Sequence, residues 1–151
     1  MDSRDRPILL VEDSPTDEQL TIRSLRKKRV ANEIIVARDG EEALGLLFGS
    51  ADGMRAPIPF PNVVLLDLKL PKLDGIEVLR RIRADPRTRP LPVVVLTSSD
   101  EERDITESYA LGVNSYVRKP VKFDKFATAV AEIGLYWIVI NTPPTQTGFG
   151  G

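Results

Sequence analysis

Three short apolar runs end in charged residues, and that pattern limits what this chain can become. Ile8-Leu9-Leu10-Val11 leads into Glu12-Asp13, Val63-Val64-Leu65-Leu66 into Asp67, and Tyr116-Val117 into Arg118-Lys119. Runs of this length and apolar character suit strands buried on both faces, as in a parallel sheet covered by helices. Laid side by side, they bring two carboxylates and an amine to one edge of the sheet. Open α/β sheets bind ligands at that edge.

Helix and strand signals alternate through the rest of the chain. Arg6-Pro7 opens the first strand. Ser14 as N-cap, Pro15 at the first helical position, and Asp17 and Glu18 in the first turn start a helix that runs to Arg26-Lys27-Lys28-Arg29. Glu33 to Ala37 reads as the second strand, and Glu41 to Phe48, after Asp39-Gly40, as the second helix. Strand three covers Asn62 to Leu66. Asp74 then caps a third helix in which Ile76, Leu79, Ile82 and Arg83 share helical spacing, and Pro86 and Pro90 stop it. Leu91 to Leu96 is the fourth strand, with Pro92 near its start where a missing N–H is tolerable. Thr97-Ser98-Ser99-Asp100 is expected to cap a fourth helix reaching Gly112, Val113 to Val117 is the fifth strand, and Val121 begins the fifth helix.

Five βα units predict right-handed crossovers and a doubly wound parallel sheet. A strand order of 2-1-3-4-5 would put helices on both faces and a switch point between strands one and three, where Asp13 and Asp67 meet. Segment 49–61 interrupts the rhythm. Gly49, Gly53, Pro57, Pro59 and Pro61 forbid a regular element there, and the reading is a surface insertion, with a binding role as the alternative. At 151 residues the expectation is one domain over residues 6–141 and a tail over 142–151.

Composition narrows the chemistry. Cysteine and histidine are both absent, so disulfides, thiolate or imidazole metal ligands, and thiol or imidazole catalysis are excluded. A formal net charge of -1 gives no support to nucleic-acid or membrane-surface binding. The start of the chain has no apolar leader and no apolar stretch could span a bilayer, so a cytoplasmic protein is expected. Glu12, Asp13 and Asp67 within a few ångströms of one another would repel and raise at least one carboxyl pKa. A divalent cation removes that conflict, and oxygen-only ligands select Mg²⁺ or Mn²⁺. Asp67 then reads as a nucleophile able to form an aspartyl-phosphate, with Lys119 and the Thr97 hydroxyl facing the phosphoryl oxygens. Singly, each residue has a duller reading: Asp13 a helix cap, Asp67 an Asx-turn, Lys119 a solvated charge, Thr97 an N-cap. Their joint position, at the C-terminal ends of four strands, favours a site.

At these residues the chain resembles the receiver domains of two-component response regulators. The resemblance is carried by Ile8-Leu9-Leu10-Val11-Glu12-Asp13, Val64-Leu65-Leu66-Asp67-Leu68, Leu70-Pro71 with Asp74-Gly75, Val94-Val95-Leu96-Thr97-Ser98, and Gly112-Val113-Asn114-Ser115-Tyr116-Val117-Arg118-Lys119-Pro120, and it extends over residues 6–133. It implies the flavodoxin-like fold with order 2-1-3-4-5 and phosphorylation of Asp67 by a histidine kinase. It implies Mg²⁺ held by Asp13, Asp67 and the backbone carbonyl of Lys69, with Glu12 acting through water, and a cis peptide before Pro120. It further implies that Thr97 moves toward the phosphoryl group while Tyr116 swings inward behind it. For Tyr116 the alternative is a strand aromatic with its hydroxyl in water. Lys69 and Ser99, two residues past Asp67 and Thr97, take the positions at which side chains tune phosphoryl lifetime in that family. Kinase docking in the family uses the first helix, so Thr16, Gln19, Leu20 and Arg23 are candidate contacts.

From Leu135 to Ile140 the chain is apolar all round, which makes Leu135, Tyr136, Trp137 and Ile138 candidates for a dimer contact, or for a helix end folded back on the core. The proline-rich segment 49–61 and the ending from Trp137 to Pro143-Pro144 resemble single-domain regulators paired with bacterial phytochromes. That narrower resemblance implies a light-regulated histidine kinase as phosphodonor and a homodimer through helix four, strand five and helix five. No separate output domain is expected, so the signal would pass by association, and catalysis would be limited to the protein's own phosphoryl transfer and dephosphorylation. Three rivals stand beside this. An aspartyl-phosphate phosphatase of the haloacid-dehalogenase type would carry a second Asp where Lys69 stands. A pseudo-receiver scaffold would keep the fold without phosphorylation. A flavodoxin would need a phosphate-binding loop where Glu12-Asp13 repels anions.

Overall fold

The computed structural model describes residues 6–119 and Lys125. In chain order the elements are β1 (Ile8–Val11), α1 (Pro15–Lys27), β2 (Ile34–Ala37), α2 (Gly40–Phe48), β3 (Val63–Leu66), α3 (Gly75–Ala84), β4 (Val93–Thr97), α4 (Glu102–Ala110) and β5 (Ser115–Arg118). The strands form a parallel sheet of order β2-β1-β3-β4-β5, the flavodoxin-like order expected. Successive residues of a strand face opposite sides, and both sides are dry. Leu9, Val11, Val64, Leu66, Val93 and Val95 pack with Ala43 and Leu47 of α2 and Val78, Leu79 and Ile82 of α3. Ile8, Leu10, Val63, Leu65, Val94, Leu96 and Val117 pack on the other face with Leu25 of α1 and with Val30. That double burial explains why the strands read as continuous apolar runs.

Helix starts follow their caps. Ser14 Oγ accepts from the Asp17 N–H at 3.3 Å, Asp39 Oδ1 from Glu42 N–H at 2.7 Å, and Asp74 Oδ1 from Glu77 N–H at 3.0 Å, each satisfying a donor that the helix leaves open. Helix α4 departs from expectation. It begins at Glu102 behind Glu101, which offers no side-chain cap; Ser99 lies before the helix, its hydroxyl donating to Asp104 Oδ2 at 2.6 Å while its oxygen accepts from the Glu101 N–H at 3.3 Å. Strand β5 also starts later than expected, at Ser115. Asn114 supplies the join, its side-chain oxygen accepting from Val93 N–H at 2.9 Å.

Arg83, which shares helical spacing with the core residues of α3, is spent on main chain. Its guanidinium donates to the carbonyls of Leu111, Arg89, Leu91 and Gly112 at 2.7–2.8 Å, stitching the end of α3 to the turns before β4 and β5. Segment 49–61 is an exposed insertion, as expected. Two bonds are its own, Ser50 N–H donating to Arg55 O at 2.9 Å and Met54 N–H to Asp52 Oδ1 at 2.9 Å, and a third ties it to α2, Ile58 N–H donating to Leu46 O at 2.9 Å. Among the described residues no helix is long and apolar enough to cross a membrane.

Candidate functional site

Strand register builds the site. Val11 lies beside Leu66, and Leu66 beside Val95, so the residues that follow leave the sheet together at its C-terminal edge. Glu12 N–H donates to Ala37 O at 2.9 Å, Asp67 N–H to Val11 O at 3.0 Å, and Lys119 N–H to Thr97 O at 2.8 Å. These bonds extend the ladders by one residue and hold the backbone from which each charged side chain projects. Helix α3 closes the edge from the side, and its first residue must be glycine. A Cβ on Gly75 would lie 2.2 Å from Asp67 O and 2.6 Å from Leu68 Cα, so any side chain there would push the loop that carries Asp67.

Lys119 is the centre of the charge arrangement. Its ammonium, 8 % exposed, donates to Asp67 Oδ2 at 3.0 Å, to Asp17 Oδ2 at 2.9 Å and to Glu12 Oε1. Burial works against the ammonium, but Glu12, Asp17 and Asp67 together outweigh it and hold its pKa above the ordinary lysine value. Burial pushes the Glu12 carboxyl up to about 7, a rise that Lys119 only partly offsets and Asp67 reinforces. Glu12 Oε2 also accepts from the Ser14 N–H at 3.2 Å, which ties the acid to the start of α1.

Asp17 was read from the sequence only as a helix-start acid. The signal for more was its position one turn beyond Asp13, on a helix that begins at the same sheet edge. Asp13 is exposed, with a carboxylate oxygen that lies within 4.8 Å of oxygens from Glu12 and Asp67. Three converging carboxylates, with no nitrogen or sulfur ligand available, are the donor set of a hard divalent cation. One ammonium does not neutralise Glu12, Asp13, Asp17 and Asp67, so the residues present fit Mg²⁺ or Mn²⁺. The Lys69 N–H donates to Asp67 Oδ1 at 3.1 Å, which fixes the loop whose carbonyl is the remaining candidate ligand.

A second network adjoins the first. Thr97 is fully buried, and its Oγ1 accepts from the Ser99 N–H at 3.3 Å. The Tyr116 hydroxyl donates to Ser99 O at 2.9 Å. Its partner is therefore main chain. Burial raises the Tyr116 pKa. Ser99 Oγ, besides donating to Asp104, accepts from the Glu101 N–H at 3.3 Å. The Lys69 ammonium reaches across the loop to Asp104 Oδ2 at 3.4 Å and Glu101 Oε1 at 4.0 Å. Asp104 was missed from the sequence. Its sign was an acid in the first turn of the helix that follows Ser99.

Thr16, Gln19, Leu20 and Arg23 are all exposed on α1, at i, i+3, i+4 and i+7 on one face, with Leu20 49 % accessible. Pro120 and its peptide bond lie outside the described residues, as do Leu135, Tyr136, Trp137 and Ile138.

Comparison with known proteins agrees with this geometry. Residues 8–131 match the family described as response regulator receiver domain. Response regulator Rcp1 of Synechocystis sp. is 41% identical over 137 residues, 91% of this chain and 92% of its own length. Its Mn(2+)-bound crystal structure superposes with a TM-score of 0.73 over 93% of this chain and 99% of that one, at 39% identity. The bacteriophytochrome response regulator AtBRR superposes with a TM-score of 0.77, is 51% identical, and covers 91% of this chain and 99% of its own. A probable methanogenesis regulatory protein, FilR2 of Methanothrix harundinacea, is 42% identical over 137 residues, 91% of this chain and 86% of its own.

Proposed function

Because the chain belongs to the response regulator receiver domain family, and so is a two-component signalling protein related to phytochrome response regulators, we propose that it accepts a phosphoryl group on Asp67. The donor would be the phosphohistidine of a histidine kinase. An Asp67 carboxylate oxygen attacks phosphorus in line with the leaving imidazole. The new P–O bond forms as the P–N bond breaks, and the imidazole nitrogen keeps the electron pair and takes up a proton. Lys119 is placed to pair with a phosphoryl oxygen, since it already donates to Asp67 Oδ2. A divalent cation held by Asp13, Asp67 and the Lys69 carbonyl, with Glu12 behind it, would neutralise the charge gathered on the phosphoryl oxygens. Asp67 keeps its backbone hydrogen bonds throughout, so its attacking oxygen starts in place.

The observation that carries this reading is the meeting of Lys119 with Asp67 and Glu12, from strands separated in sequence, beside the exposed Asp13. Thr97 and Tyr116 would be the switch pair, their hydroxyls now joined through Ser99, and Lys69 and Ser99 would tune the lifetime of the phosphoryl group. Thr16, Gln19, Leu20 and Arg23 would form the docking face for the kinase. A phytochrome-type kinase is the partner favoured by likeness to the bacteriophytochrome response regulator AtBRR. Likeness to FilR2 as well makes direct phosphotransfer the deciding measurement. A homodimer through α4, β5 and the fifth helix, with Leu135, Tyr136, Trp137 and Ile138 in the contact, would transmit the signal.

Acetyl phosphate with Mg²⁺, followed by intact mass, tests the central step. One added phosphoryl group is expected, and none in Asp67→Asn. An unchanged mass in the unmodified protein would instead favour a scaffold that does not use phosphorylation. Light scattering with and without beryllofluoride tests the dimer.

A further inference from the structure

We infer that Asp104 is a positioning residue for Lys69: it holds the Lys69 ammonium on the α4 side of the site, and negative charge arriving on Asp67 competes for that ammonium and unfastens α4. The inference rests on Asp67 being the phosphoacceptor. Five contacts converge to support it. Lys69 is tied to Asp67 at its main chain, through its N–H to Oδ1 at 3.1 Å, and to α4 at its side chain, through Asp104 Oδ2 at 3.4 Å. Asp104 is itself pinned by the Ser99 hydroxyl at 2.6 Å, and Ser99 is the residue that Thr97 and Tyr116 both hold. One residue thus spans the phosphoacceptor and the first turn of α4, and its far end is an ion pair.

The two partners differ in freedom. Asp104 is buried and hydrogen-bonded, so its carboxylate stays where it is, and the Ser99 hydroxyl, helped by Lys69, holds its pKa below the usual aspartate range. Lys69 is 55 % exposed on a flexible four-carbon stem. Its main chain is anchored beside Asp67, so the ammonium can turn from Asp104 to an oxygen of a group attached there. A phosphoryl group brings up to two negative charges against the single charge of Asp104. The ammonium would follow the larger charge and leave Asp104, in the first turn of α4, hydrogen-bonded to Ser99 alone. Two discrete positions of one side chain, biased by the state of Asp67, make the coupling reciprocal.

A thermodynamic cycle tests this. Beryllofluoride binding to the full chain in Mg²⁺ is measured by calorimetry for the unmodified protein, Asp104→Asn, Lys69→Ala and the double variant. Asparagine keeps an acceptor for Ser99 and removes only the charge. Asp104→Asn is expected to tighten binding about threefold, the scale of a half-exposed ion pair, and to have no effect once Lys69 is alanine. Lys69→Arg should restore the dependence on Asp104. Amide exchange in α4 should rise when beryllofluoride binds the unmodified protein, and should already be high in Asp104→Asn without it. Equal effects of Asp104→Asn in both backgrounds, or no effect in either, would overturn the inference while leaving Asp67 as the acceptor. Failure of the unmodified protein to bind beryllofluoride would overturn both.

Discussion

Two lysines flank Asp67, one in a dry pocket and one half in water, and the contrast separates structure from switching. Lys119 sits among Glu12, Asp17 and Asp67 with little solvent, so its pairings act at low dielectric and removing one partner strands the others. Lys69 meets Asp104 and Glu101 where water and salt screen both sides. The same chemical pairing is therefore a fixed part of the site in one place and an adjustable one in the other. A signalling protein has use for both: a pocket that waits assembled, and a contact whose energy is small enough for a nearby charge to redirect.

The largest test strikes the dry side. Lys119→Met should lower stability toward urea by about 3 kcal/mol without divalent cation, because the carboxylates around it lose their counter-charge, and Mg²⁺ should restore part of the loss. A midpoint that stays put would erase the contrast between the two lysines. Next comes Gly75→Ala, expected to cost about 2 kcal/mol by pressing a methyl group onto the Asp67 main chain and to weaken Mg²⁺ binding along with it. Unaltered Mg²⁺ affinity would mean that the loop carrying Asp67 gives way more easily than its packing indicates. Asp17→Asn should lie lower still, at about 1 kcal/mol or less, since that carboxylate is partly solvated.

On the wet side, Lys69→Ala should shift stability by no more than about 0.5 kcal/mol, vanishing in high salt; a larger or salt-insensitive loss would place Lys69 with Lys119. A surface pair in the turn after α3, Arg87 with Asp85, gives a further comparison. Arg87 hydrogen bonds hold the Asp85 carboxyl down at about 2. The folded pKa is depressed, so the stabilisation is complete above the ordinary aspartate value near 3.9 and is lost as pH falls through about 2. NMR titration should find that low midpoint, and Arg87→Ala should return it toward the ordinary value.

Much of this molecule could be read in one dimension. Apolar runs, the caps Ser14, Asp39 and Asp74, and the punctuation by glycine and proline are local signals, written where the element forms, and the structure follows them within a residue or two. The start of α4 escaped because its cap is not local chemistry alone. Ser99 joins Asp104, five residues on, as well as the Glu101 N–H just before the helix, and the helix itself starts at Glu102. Strand ends bearing Glu12, Asp13, Asp67, Thr97 and Lys119 marked where a site would lie, since a strand that stops being apolar has reached the edge of the core.

The amino-acid order by itself determined which segments are strands, which are helices, and which charged residues stand at the sheet's C-terminal edge, because burial on two faces leaves a continuous apolar signature. Only the tertiary structure decided that Asp17 shares Lys119 with Asp67 and Glu12, and that Lys69 crosses to Asp104. Those partners lie 102 and 35 residues apart in the chain. No local rule of spacing or propensity acts over such separations; strand register and the packing of α1 and α4 against the sheet edge do.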